Sequence, residues 1–292
     1  MNLFAGLEKF GFSGEEKLDI TKEEKTTTKK AEAQAQAAPK KQVEEKDFLL
    51  DKKVKCPVCD KIVVSKQVKS GKMRLVAQDD DLRPKYAGGI DPVKYDVIAC
   101  PNCGHAAFFK SFEHLSATQI RLIKEGVASK FTPVEEKPVE TYTYDKALER
   151  YKLALVTALS RRAKLSEKSY LCLKISWLLR SQIETMPEGT DEEKAKKKAK
   201  VEEYNGFYRQ AFDGFIKAMS SEMPPYYGIQ TSTLEYMLSN MALYFKEYDV
   251  ATKLVGNLIS SAATPARIKD KARDLKDKIL EAKKSAAEGN KQ

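Results

Sequence analysis

Four of the five cysteines stand in two Cys-Pro-x-Cys turns, Cys56 with Cys59 and Cys100 with Cys103. Such a turn sets two sulfurs on one tight bend, both within reach of a single ion at metal–sulfur distances of about 2.3 Å. Two turns supply the four ligands of a tetrahedral centre, and thiolates select soft or borderline ions over hard ones. A structural Zn2+ held by Cys56, Cys59, Cys100 and Cys103 is therefore the expected cofactor. Iron in the same ligand set is the alternative. Four sulfurs leave no open coordination position, so the ion adds folding free energy and not catalysis. Proline after the first cysteine presets the turn, and the residues after the second, Asp60 and Gly104, are expected at positive φ.

The remaining reactive residues offer little. His105 follows the second turn and His114 precedes a helix, and with four sulfurs present neither is needed as a ligand. Cys172 lies in the apolar run Tyr170-Leu171-Cys172-Leu173 and reads as a buried structural thiol. The triplet Asp79-Asp80-Asp81 reads as a solvated loop rather than a hard-cation site. No Ser-His-Asp or Cys-His arrangement, phosphate-cradling loop or dinucleotide fingerprint is present, so no enzyme is expected.

Composition sets the surroundings of this centre. The 292 residues are 42% hydrophobic and 32% charged, enough for a core. No apolar run approaches the roughly 18 residues that a membrane span needs. The N-terminus lacks the layout of a signal peptide, and five cysteines are too few for a disulfide framework. The cytoplasm is the expected location. Net charge is +10, which draws anionic partners at long range, but it is diffuse. From Lys52 to His114 there are 12 basic against 7 acidic residues.

The elements that must position the sulfurs can be read along the chain. Residues 1–20 carry Leu3, Phe4, Leu7, Phe10 and Phe12, an apolar segment suited to docking. Residues 21–50 are rich in Lys, Glu, Thr, Ala and Gln and read as a disordered linker. Residues 51–131 are expected to form a small β-rich, zinc-ribbon-like domain with a trailing helix. Its β-type runs are 62–68, 73–76, 95–98 and 106–109, with an irregular stretch from Asp79 to Pro92. Ser116-Ala117-Thr118-Gln119 is a capping box opening the helix. Pro133 and Pro138 mark 132–143 as a second linker. Helices are predicted at about 144–164, 166–186, 191–221, 232–246, 248–262 and 265–287, an all-α domain over 144–288. The fold class is α+β.

Two resemblances follow from these residues. CPVC, Arg74, Asp79-Asp80-Asp81, Tyr86, Asp91-Pro92, Tyr95 and CPNCGHA together resemble the bacterial DUF2225 family. The chain departs with Asp91 for an Asn, His105 for a Tyr and Asp60 for a Gly, none of them a ligand. The likeness runs more loosely to about Lys278. It implies a bacterial cytosolic protein with a zinc-ribbon-like segment followed by helical repeats, and no particular activity. Part of the helical region resembles tetratricopeptide repeats (TPR): Ala147 to Tyr151 with Ala154-Leu155, and Tyr236, Leu238, Ala242, Tyr244 and Ala251. No strict period of about 34 residues is visible, and a plain helical bundle is the competing reading.

The expected function is a non-enzymatic adaptor or scaffold that binds a protein or peptide through its helices and N-terminal segment. The alternative is nucleic-acid binding or regulation through the ribbon, using Lys61, Lys66, Lys69, Lys72 and Arg74. Aromatic residues are not interleaved with those cations, which disfavours it.

Overall fold

Alternating apolar and charged residues make the first hairpin. In the computed structural model, which describes residues 44–289 apart from positions 70, 134 and 136, β1 (Leu49–Lys55) pairs antiparallel with β2 (Ile62–Val68). The register sets Val54 opposite Val63, both buried, and Lys53 opposite the exposed Val64. β3 (Leu75–Gln78) pairs with β4 (Pro84–Tyr86), and β5 (Val97–Ala99) with β6 (Ala106–Phe108), giving three separate two-stranded sheets.

Three expectations meet different outcomes here. The apolar segment 1–20 lies outside the described residues, as does most of the stretch 21–50. The described end of that stretch is ordered: Glu45–Phe48 forms a 3-10 turn and Leu49 starts β1. Phe48 and Leu49 pack with Ile90, Tyr95 and Tyr142, apolar contacts that outweigh the polar composition around them. The irregular stretch from Asp79 supplies β4, whose partner strand starts two residues after Met73.

The helices follow their sequence signals closely. Helix α1 (Ala117–Ile123) opens on the capping box, with Ser116 Oγ accepting from the Gln119 amide at 3.3 Å and Gln119 Oε1 accepting from the Ser116 amide at 3.0 Å. It runs into a wider turn at Lys124–Ala128. Then come α2 (Tyr144–Ser160), α3 (Leu165–Thr185), α4 (Asp191–Ser221), α5 (Thr231–Tyr244), α6 (Tyr248–Ser260) and α7 (Ala266–Gly289). Consecutive helices from α2 to α7 pack on one another. Ala242 of α5 and Ala251 of α6 are wholly buried, small residues that allow close approach. No described helix is long and apolar enough to cross a membrane.

The ribbon strands and the helices share one core. Val97 and Ala99 of β5, with Ala106 and Phe108 of β6, bury against Ala147, Tyr151, Ala154 and Ala158 of α2. Arg150, 2% exposed, reaches from α2 to Val97 O and Ser65 Oγ and stacks on the Tyr142 ring at 4.6 Å. Tyr142 in turn accepts from the Lys66 amide at 3.1 Å, so the stretch 132–143 ends as a packed strut. The described residues therefore form a single compact unit.

One hydrogen bond across this seam is easily tested. Tyr151 donates to Val93 O at 2.9 Å with its ring wholly buried. Tyr151→Phe keeps the packing and removes that bond, leaving the Val93 carbonyl with only the longer 3.4 Å bond from the Asp96 amide, so chemical denaturation should show a loss of about 1 kcal/mol.

Candidate metal centre

Both cysteine turns close in the same way. Cys56 N donates to Lys61 O at 2.9 Å and Asp60 N to Cys56 O at 2.9 Å, while Cys100 N donates to His105 O at 2.8 Å and Gly104 N to Cys100 O at 2.9 Å. Asp60 has φ 62 and Gly104 φ 72, the left-handed positions that such a turn requires. The turn amides face the sulfurs: those of Val58 and Cys59 point at Cys56, and those of Asn102 and Cys103 at Cys100. Each hairpin thus carries its own pair of sulfurs at its tip, β1–β2 the first and β5–β6 the second.

The two tips meet. The four sulfurs lie within 4.8 Å of one another, with Cys56 Sγ to Cys103 Sγ at 3.7 Å and Cys59 Sγ to Cys100 Sγ at 3.6 Å. A regular tetrahedron with metal–sulfur bonds near 2.3 Å has sulfur–sulfur edges of about 3.8 Å, so the spacing fits one ion. Cys56, Cys100 and Cys103 are buried and Cys59 is half-buried. Four thiolates this close repel one another, and without a cation they share protons. Hydrogen bonds from the Cys103 and Cys56 thiols hold Cys100 far below the ordinary thiol range. The hydrogen bond with Cys100 pushes Cys56 up to about 12 and Cys103 up as well. A cation held by Cys56, Cys59, Cys100 and Cys103 would offset that repulsion and take the place of the shared protons. The four cysteines can hold a metal ion.

The neighbours of the cluster are structural. His105 is fully buried, stacks on Phe112 at 4.6 Å and donates through Nε2 to Phe112 O at 3.1 Å; burial lowers its pKa, so it is a neutral packing group. His114 is exposed. Lys61 Nζ reaches Asn102 Oδ1 at 3.2 Å, tying one turn to the other. Gly104 is doubly constrained, by its positive φ and by its neighbour: a Cβ there would lie 2.5 Å from Phe131 Cδ2. Gly104→Ala should therefore destabilise well beyond the roughly 1–2 kcal/mol of the left-handed strain alone. Gly71→Ala, also at positive φ but facing open space, is the control that should cost only the strain. Paired thermal melts check the difference.

Two further reactive groups lie away from the cluster. Cys172 is buried, and burial pushes its thiol up to about 11, an inert core residue as expected. The aspartate triplet is not a solvated loop. Asp81, 3% exposed, accepts from Trp177 Nε1 at 3.0 Å and from Arg180 Nη2 at 2.7 Å. Asp79 accepts from Arg83 Nε at 2.6 Å, and Arg83 continues to Ser181 Oγ at 2.8 Å and Glu184. Only Asp80 stays at the surface, 3.3 Å from Lys278. The loop is pinned to α3 by partners almost a hundred residues away, a distance that local sequence cannot reveal.

Comparison with known proteins gives one match. A family model described as "Uncharacterized protein conserved in bacteria (DUF2225)" matches residues 49–279, from the start of β1 into α7. No curated protein and no solved structure matches the chain.

Proposed function

The chain belongs to the DUF2225 family, and from that membership and the sulfur cluster we propose that it is a non-enzymatic zinc-binding adaptor or scaffold of the bacterial cytoplasm. In this reading its helices, which resemble tetratricopeptide repeats, bind a protein or peptide. The carrying observation is the shared core. The strands that run from the Cys100–Cys103 turn pack on α2, so an ion at the sulfurs would hold ribbon and helices as one rigid surface. Four thiolates close the coordination sphere, which suits a structural ion and leaves no position for substrate. Zinc is favoured over iron as a redox-inert ion with no geometric demand beyond the tetrahedron; an iron protein would be red and a zinc protein colourless.

The nucleic-acid alternative loses support in the same region. Lys66 pairs with Asp51 at 2.9 Å, Lys61 is engaged with Asn102, and Lys69 donates to Asp47 O at 2.9 Å. Three of the five cations are thus engaged within the chain, while Lys72 and Arg74 are exposed.

Affinity capture from the native host tests the proposal, using the full chain and a version lacking residues 1–20. A specific protein retained as salt rises from about 50 to about 200 mM supports an adaptor, because phosphate-based binding falls steeply over that range. Recovery of nucleic acid alone would refute it. Loss of the protein on deletion assigns residues 1–20 a docking role.

A further inference from the structure

We infer that a cleft at the open end of the β5–β6 hairpin binds an acidic peptide segment of a partner protein through an aromatic anchor, an assignment that rests on the adaptor reading and names its ligand chemistry. β5 and β6 carry the Cys100–Cys103 turn at one end, and at the other a cavity of about 720 Å3 opens between the hairpin and the helices. Its floor is three rings, Phe108 from β6, Tyr170 from α3 and Tyr227 from the loop before α5, with centroids 5.4–5.5 Å apart. Three separate parts of the chain thus converge on one aromatic surface.

Tyr227 is held there against its backbone preference. Tyr226 and Ile229 exchange backbone hydrogen bonds of 2.9 and 3.0 Å around a two-residue turn, Tyr227–Gly228, with φ of 47 and 85. Such turns favour Asn or Gly at the first position, because a bulky side chain strains the left-handed region. The strain is offset by seating the ring over Phe108 and Tyr170, with its hydroxyl 3.3 Å from Ser111 Oγ.

Charge identifies the occupant. Lys110 lines the cleft and is exposed, and outside the lining Lys52 lies 4.3 Å over the ring of Phe109, a residue that does line it. Among the described residues neither lysine has a carboxylate partner. Asp96, which also lines the cleft, is already paired with the buried Lys174 at 3.1 Å. The rim therefore carries uncompensated positive charge beside an aromatic floor. A ring or apolar side chain flanked by carboxylates meets both features. A nucleic acid needs a longer basic track with repeated stacking positions, which one lining lysine with a second nearby does not provide.

The test titrates the full chain into a fluorescein-labelled heptapeptide with phenylalanine between two aspartates, read by fluorescence polarisation. Saturable binding is expected, weakened at least tenfold by Lys110→Glu, by lysines in place of the peptide aspartates, and by alanine in place of its phenylalanine. Lys110 is exposed, so that variant should fold, which circular dichroism checks. Tyr227→Gly relieves the backbone while removing the ring, and should fold and bind at least tenfold more weakly. Absence of saturable binding, indifference to Lys110→Glu, equal binding of the basic peptide, or displacement by an oligothymidylate at lower concentration than unlabelled peptide would each overturn the assignment. A Lys110→Glu chain that still captures its host protein would sink the cleft and spare the adaptor; peptide binding without any host protein would do the reverse.

Discussion

Replacing Cys100 by serine should remove the metal and take the ribbon's fold with it. A structural zinc site of four thiolates contributes about 10 kcal/mol or more at neutral pH, comparable to the whole stability of an ordinary domain. Three remaining sulfurs bind more weakly, and the crowded cluster is left without its central charge. β5 then loses its turn, and Val97, Ala99, Ala106 and Phe108 leave the face of α2. Because that face belongs to the shared core, damage should spread into the helices: a melting temperature lower by roughly 20 °C or more, with a less cooperative transition. A chelator strong enough to strip the wild type should reproduce the effect. Cys172→Ala is the matched control, since Cys172 lies outside the cluster; it should keep the metal and cost only a small cavity. Equal melting of the Cys100 variant and wild type would mean that the sulfurs do not hold the fold.

Asp81→Ala should give the second largest effect, at a site away from the cysteine cluster. Its carboxylate satisfies Trp177 Nε1 and Arg180 at once, on the seam between the β3–β4 hairpin and α3. Deleting it leaves the indole N–H unpaired and the guanidinium short of a counter-charge. Breaking a buried pair in this way costs about 3–5 kcal/mol, and the lower figure applies because Arg180 is a quarter exposed. For a chain of this size that corresponds to a melting temperature lower by roughly 10 °C. Trp177 is the sole tryptophan, so its emission reports the same seam and should shift to the red as water enters. Asp81→Asn keeps an acceptor for the indole and should lose less. Unchanged emission and melting in the alanine variant would show that the loop is not anchored through this carboxylate.

What could be read from the sequence follows the range of each interaction. The sulfur ligands, the positive φ at Asp60 and Gly104, and the helix starts all depend on residues within a few positions of one another. Thr190 and Glu193, like Ser116 and Gln119, form reciprocal caps where α4 begins. Helix periodicity is local too, and the boundary of α4 coincides with its sequence pattern. The misreadings share the opposite property. Phe48 and Leu49 appear to end a polar tract until Tyr95 and Tyr142 are brought against them. Asp81 resembles any loop acid until Trp177 and Arg180 arrive from α3. The cleft between hairpin and helices has no local signature at all, since Phe108, Tyr170 and Tyr227 are joined only by the packing of ribbon on helices.

Elemental analysis of the freshly purified full chain, beside its Cys100→Ser variant, tests the metal centre most directly. One zinc per chain in the wild type and a sharp drop in the variant are expected. Wild-type protein that is folded and melts cooperatively without a stoichiometric transition metal would contradict the reading of these four sulfurs as the ligands that hold ribbon and helices together.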